Sequence, residues 1–195
     1  MELKKLLPKI TWKKIRGHWK TINEHKLLVM RHCFRIGLYR QGLMHDLSKY
    51  MLSELLMGFA YFDDGKSSPN NGERRDKGYS YAWMHHKGRN RHHFEYWTDY
   101  ALHPADEKYP VQAVQMPRRY VAEMLMDRIS ASKNYNKESY TQHHPLQYFE
   151  RGKSHYLLHP QTEKELHGML RILDQCGEEK LMYFVKEYYL KGYQI

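Results

Sequence analysis

Four residues near the start of the chain carry side chains suited to holding a metal ion: His25, His32, His45 and Asp46. Read as one helix over residues 22–39, this stretch puts His25 and His32 seven positions apart. That is close to two turns, so both point to about the same side, with Val29 packing beside His25. A second helix is predicted from Ser53 to Phe62, which sets His45-Asp46 near a helix junction facing the first helix. Imidazole nitrogen and carboxylate oxygen together suit a borderline divalent ion: Zn, Mn, Fe, Co or Ni. A further ligand has to come from far along the chain. Asp127 lies within an apolar helical stretch between Met126 and Ile129, where a carboxylate is costly unless paired or ligated. Glu123, one turn earlier on the same face, is its rival. An Asp127 that pairs with Arg118, Arg119 or Arg128 on a solvated face stands as an equal alternative.

The elements that must position these residues read as helices. Apolar positions recur with helical spacing over 22–39, 53–62, 117–132, 161–176 and 178–190. Asn23 is a candidate start and Gly42 a candidate stop for the first of them. Pro117 suits the first turn of the third, whose stripe is Val121, Met124, Leu125 and Ile129. Glu178 and Glu179 suit the positive end of the last. Residues 1–20 hold at most a short amphipathic helix, weakened by Pro8 and Gly17, and 136–149 is a weaker helical stretch. Residues 63–78, rich in Gly, Pro, Ser and Asn, read as an exposed loop. No run of alternating β-branched residues stands out, so the expected fold is all-α, with six to nine helices in a single domain over 1–195.

Composition narrows the function classes. The 195 residues hold 32 Lys and Arg against 22 Asp and Glu, a formal charge of +10. A field of that sign attracts nucleotides, nucleic acid or anionic lipid. Cys33 and Cys176 form no CxxC pair, and reduced thiols are expected. No apolar run reaches 18 residues, and the N-terminus does not read as a secretory signal, so a cytoplasmic protein without a membrane span is expected. There is no glycine-rich phosphate loop and no GxSxG elbow, which argues against covalent serine chemistry.

The segments EHKLLVMRHCFRIGLYRQGLMHDLSK and AEMLMDRI resemble the HD-domain metal-dependent phosphohydrolases, in which a helical His is followed by a His-Asp pair and a distant Asp. The resemblance covers about residues 22–130, an HD-like core followed by a C-terminal helical extension. It implies an HD-domain-like helical bundle and a metal set of His25, His45, Asp46 and Asp127. Members with two metals use extra histidines between the pair and the distal Asp. His85 or His86 and His92 or His93 are therefore candidates for a second ion or for pocket lining. Neighbours on a helix differ by about 100° in direction, so one of each pair is expected to face the site. More closely, HDLSK, MHHKGRNRHHFEYW and PRRYVAEMLMDR resemble a family of small bacterial and phage proteins of unknown function.

The resemblance implies hydrolysis of a small phosphate ester, most plausibly a nucleotide, by a water that a metal activates. Asp46 is then both ligand and candidate proton acceptor, with Glu54 or a pocket histidine as substitutes. Lys49 is close enough to offset transition-state charge. Arg118 and Arg119 are candidate phosphate contacts, and Arg89 and Arg91 flank the histidine-rich bend. A metal-dependent nuclease and a non-catalytic metal-containing protein that binds nucleic acid or another protein are the alternatives. His32 is a candidate orienting residue. His18, His103, His143, His144, His155, His159 and His167 have no supporting arrangement and are expected at the surface or in packing.

Overall fold

Thr11 opens the first long element: its hydroxyl accepts the Lys14 amide at 3.3 Å, and helix α1 then runs unbroken over Trp12–Arg35. This start lies well before residue 22, because Gly17 is tolerated inside the helix. A β-carbon at residue 17 would lie 2.3 Å from a Phe62 ring carbon, so the glycine there is a packing requirement and not a break. Asn23 is mid-helix, its amide donating to the Trp19 carbonyl. The helix ends before Gly37, whose φ of +82° reverses the chain. Gly42 falls inside the next helix, where a β-carbon would lie 3.0 Å from Cys33 Cβ and 3.1 Å from the Met30 carbonyl.

The structure, a computed structural model, describes residues 6–102 and 110–193; His103 lies outside them. After α1 come α2 (Tyr39–Met44), a 3-10 turn over Leu47–Tyr50, α3 (Leu52–Tyr61), α4 (Pro69–Lys77) and α5 (Tyr81–Lys87). A short antiparallel hairpin, β1 (Thr98–Tyr100) with β2 (Val111–Ala113), sets Thr98 opposite Ala113. Helices α6 (Arg118–Asn136), α7 (His144–Gly152), α8 (Pro160–Cys176) and α9 (Glu178–Glu187) complete an all-α fold of nine α-helices among the described residues.

The main core is built by Val29 and Cys33 of α1, Val121, Leu125 and Ile129 of α6, Leu166, Leu170 and Leu173 of α8, and Leu181 and Val185 of α9. A smaller apolar cluster joins Leu6, Met57, Ala60 and Ala82. No helix among the described residues is long and apolar enough to cross a membrane.

The expected exposed loop over 63–78 is corrected: nine of its residues form α4. Pro69 sits at the helix start and Gly78, at φ +81°, at its end, so two of the supposed breakers are end signals. The helix is pinned by Glu73, which is fully buried. Its carboxylate accepts the Ser80 hydroxyl (2.8 Å), the Ala82 amide (3.2 Å) and Lys77 Nζ (3.0 Å).

Candidate metal centre

The buried face of α1 carries His18, Ile22, His25, Val29, His32 and Cys33. This is one stripe, with histidines every seventh residue, and it sends each histidine to a different place. His25 reaches the cluster, where its Nε2 lies 3.0 Å from Asp127 Oδ1 and 3.9 Å from Asp46 Oδ2. His32 does not reach it: Nδ1 meets Ser130 Oγ at 2.7 Å and Nε2 faces Glu178.

His45 ends α2, and Asp46 adopts the left-handed conformation at φ 54°, ψ 24°. For a non-glycine residue this costs about 1 kcal/mol or more. The turn is held by Lys26, whose ammonium donates to the carbonyls of Leu43 (2.9 Å) and His45 (2.8 Å). The turn brings both side chains inward, His45 at 1% and Asp46 at 2% exposure.

Asp46 is the hub. Its Oδ2 lies 3.3 Å from His45 Nε2 and 2.6 Å from Lys49 Nζ. Its Oδ1 lies 3.3 Å from His86 Nε2 and 3.4 Å from His92 Nε2. Asp127 lies within 3.8 Å of both His45 Nε2 and His92 Nε2. Ligand atoms around an ion at about 2.1 Å stand roughly 3–3.4 Å apart, close to many of these separations. Among the described residues three groups could hold a metal: His25, His45 and Asp127; Asp46, His86, His92 and His93; and His45, His92 and Glu123 on the Nδ1 side of the two rings.

Glu123 and Glu54 stand behind the histidines. Glu123 Oε1 accepts from His45 Nδ1 (3.0 Å) and lies 3.2 Å from His92 Nδ1. Glu54 Oε2 meets His86 Nδ1 at 2.8 Å, and its other oxygen meets His85 Nδ1 at 2.7 Å. A carboxylate on Nδ1 turns Nε2 toward the cluster, the arrangement that orients histidine ligands. Within the cluster three buried atoms are then left without a hydrogen-bond partner: His45 Nε2, His92 Nε2 and Asp46 Oδ1. Buried polar atoms seldom stay unmet, and a divalent cation satisfies imidazole and carboxylate alike.

The charges agree. Burial opposes ionisation of Asp46 and Asp127, yet neighbouring His45 and Lys49 for the first, and His25 for the second, hold both well below the usual carboxylate range. Burial likewise opposes charge on His45, but Asp46 and then Glu123 and Asp127 raise its pKa to about 10. His25 is lowered by burial and by Lys49. His93 is pushed far down by burial and by the charges of His92 and His86.

The remaining expectations divide. His86 faces the cluster and His85 turns to Glu54, as adjacent helical positions require. His92 and His93 both face it, because they lie in the turns after α5 and not on a helix. Arg118, the first residue of α6, is occupied elsewhere: it donates to the Tyr189 (2.9 Å) and Tyr193 (2.7 Å) carbonyls. Arg119 is exposed, and neither arginine lines the cavity beside the cluster. Arg89 and Arg91 are occupied by the His85 carbonyl and by Tyr120. The orienting roles of Glu123 and Glu54 and the place of His18 were missed. The seven-residue spacing back from His25 was the available signal for His18.

Fold and site thus define an all-helical protein with a buried His/carboxylate cluster able to hold metal. A family model, a family of unknown function (DUF5662), matches residues 14–172, and the chain belongs to that family. No curated protein and no solved structure matches the chain.

Proposed function

We propose that the chain is a metal-dependent phosphohydrolase of HD-domain type that acts on a small phosphate ester of the nucleotide class. The observation that carries this reading is the convergence of unpartnered His45 Nε2, His92 Nε2 and Asp46 Oδ1 on carboxylates held ionised. His25, His45, Asp46 and Asp127 would hold one divalent ion, and Asp46 through its other oxygen, with His86, His92 and His93, a second. Bound there, such an ion supplies Lewis-acid polarisation of a phosphoryl oxygen and acidifies water.

The chain's own groups do the rest. Lys49 sits on the cavity wall beside Asp46. Partial burial works against its charge, but Asp46 and Asp127 hold its pKa above the ordinary lysine value, so it stays cationic. It offsets charge that builds on the phosphoryl oxygens. With both Asp46 oxygens given to the ions, a pocket histidine is the proton acceptor for the attacking water. Glu54 is not, since both its oxygens are engaged by His85 and His86. Glu123 and Glu54 keep the rings in one orientation through the reaction.

Metal analysis followed by a phosphate-release screen under several divalent ions tests the proposal. The panel holds nucleoside mono-, di- and triphosphates, cyclic dinucleotides, and short RNA and DNA. Turnover of a monomer that Asp46→Ala abolishes is the expected result. Cleavage of the oligonucleotides alone would instead make the protein a nuclease. Metal-loaded protein that turns over nothing yet retards nucleic acid would make it a binding protein.

A further inference from the structure

A cavity of about 230 Å³ opens from the cluster and extends along α1. Asp46, Lys49 and Asp127 wall it near the metal ligands; His18, Gly58 and Asn70 wall it as well. His18 and His25 are seven residues apart on α1, so His18 lies roughly 10 Å along the axis from the cluster. That is the reach of a sugar-sized group beyond a phosphorus held at Asp46 and Asp127.

His18 is buried, at 8% exposure, and its Nδ1 has no hydrogen-bond partner. The ring stands edge-on to Phe59 and Phe62, at 5.7 and 6.0 Å between centroids. It is seated over Gly58, where a β-carbon would lie 2.1 Å from its Nε2. Any other residue at 58 would push the ring from its place. The cavity wall holds a single Lys or Arg among the described residues, Lys49. Burial, and then the charge of Lys49, lowers the His18 pKa to about 4, so the ring is neutral at pH 7. The chain's excess positive charge therefore does not enter this end of the cavity. A second phosphate would find no cation there, whereas a hydroxyl or amide would meet imidazole and the side chains of Ser68 and Asn70.

We infer that His18, seated on Gly58 with Asn70 on the same cavity wall, forms a neutral subsite for the uncharged, hydroxyl-bearing part of a phosphate monoester whose phosphoryl group faces Asp46, Lys49 and Asp127. This rests on the phosphohydrolase reading and narrows it: the substrate carries one phosphoryl group and a sugar or nucleoside, not a chain of phosphates.

The test uses the full chain loaded with Mn²⁺ and compares wild type, His18→Phe and Gly58→Ala. Substrates are the four ribonucleoside 5′-monophosphates, their diphosphates, ribose 5-phosphate and phenyl phosphate. Loss of one hydrogen bond to a substrate should raise KM roughly ten-fold for the hydroxyl-bearing monophosphates, with kcat nearly unchanged and phenyl phosphate unaffected. Equal losses on phenyl phosphate, no change on any sugar-bearing ester, or a preference for diphosphates would overturn the subsite. If nothing in the panel turns over, the phosphohydrolase reading fails on its own. The subsite is then decided by the His18 ring ¹H–¹⁵N resonances during titration with the four nucleosides and ribose. Shifts that vanish in Gly58→Ala support it, and unmoved resonances overturn it.

Discussion

At the scale of single residues, the cluster is organised by carboxylates that do not themselves reach its centre. Glu123 touches two histidines through one oxygen. Glu123→Gln preserves the shape but removes the charge that favours Nδ1–H on both rings. Metal affinity should fall about 10- to 100-fold while the helical circular dichroism is retained, as a chelator competition would show. His45→Ala and Asp127→Ala should go further and remove most of the bound metal. Stoichiometry unchanged in both would sink the assignment of the first ion.

At the scale of elements, two helices are fixed by contacts that run against local preference. Alanine is about 1 kcal/mol better than glycine in a helix interior, so propensity alone makes Gly17→Ala stabilising. The Phe62 ring, 2.3 Å from where the new β-carbon would stand, decides otherwise. Overpacking of this kind costs about 1–3 kcal/mol, and the variant should lose stability in urea titration. A gain would mean that Phe62 moves aside freely. Glu73 plays the matching role for α4. Glu73→Ala leaves the Ser80 hydroxyl and the Ala82 amide without their acceptor. It should speed amide exchange and proteolysis across 69–82 first, with the main core, which contains none of these residues, protected as before.

At the scale of the whole molecule, the C-terminal helix is tied into the fold beyond the residues that the family model matches. Leu181, Val185 and Tyr189 belong to the main core. Glu178 bonds Arg35 (2.6 Å) and Lys133 (2.5 Å) and faces His32, linking α9 to α1 and α6. Removing residues 178–195 should therefore unfold the protein and not simply shorten it, which size-exclusion and circular dichroism would reveal. The same network sets an acid limit. His32, against the cost of burial and helped by Lys133, lowers the Glu178 pKa to about 2. A carboxylate with a depressed folded-state pKa contributes stability above its unfolded value, near 4.3, and loses that contribution as pH falls through the folded one. Wild type minus Glu178→Gln should thus differ by about 2 kcal/mol at pH 6, with the gap closing between pH 4 and pH 2. A gap that holds constant down to pH 2 would place the effect in packing.

The sequence by itself determined the helical character of the chain, and its resemblance to a known motif, not periodicity alone, pointed to His25, His45, Asp46 and Asp127. Helical periodicity, and one carboxylate in an apolar stripe, are local signals that survive without a fold. It also admitted Asp127 and Glu123 as rivals. Only tertiary structure gives them different places, because both lie on the same face of α6 and differ in which histidine atoms they meet. One faces the Nε2 side of the cluster, the other the Nδ1 side. The reach of His92 and His93 into one cluster was likewise invisible, since it depends on a turn where a helix could equally be read. Arg118 looked free in sequence because its partners are backbone carbonyls more than 70 positions away, which no pattern of side chains encodes. His18 waited on the packing of α1 against Gly58, where the absence of a single β-carbon decides whether the ring fits the cavity wall.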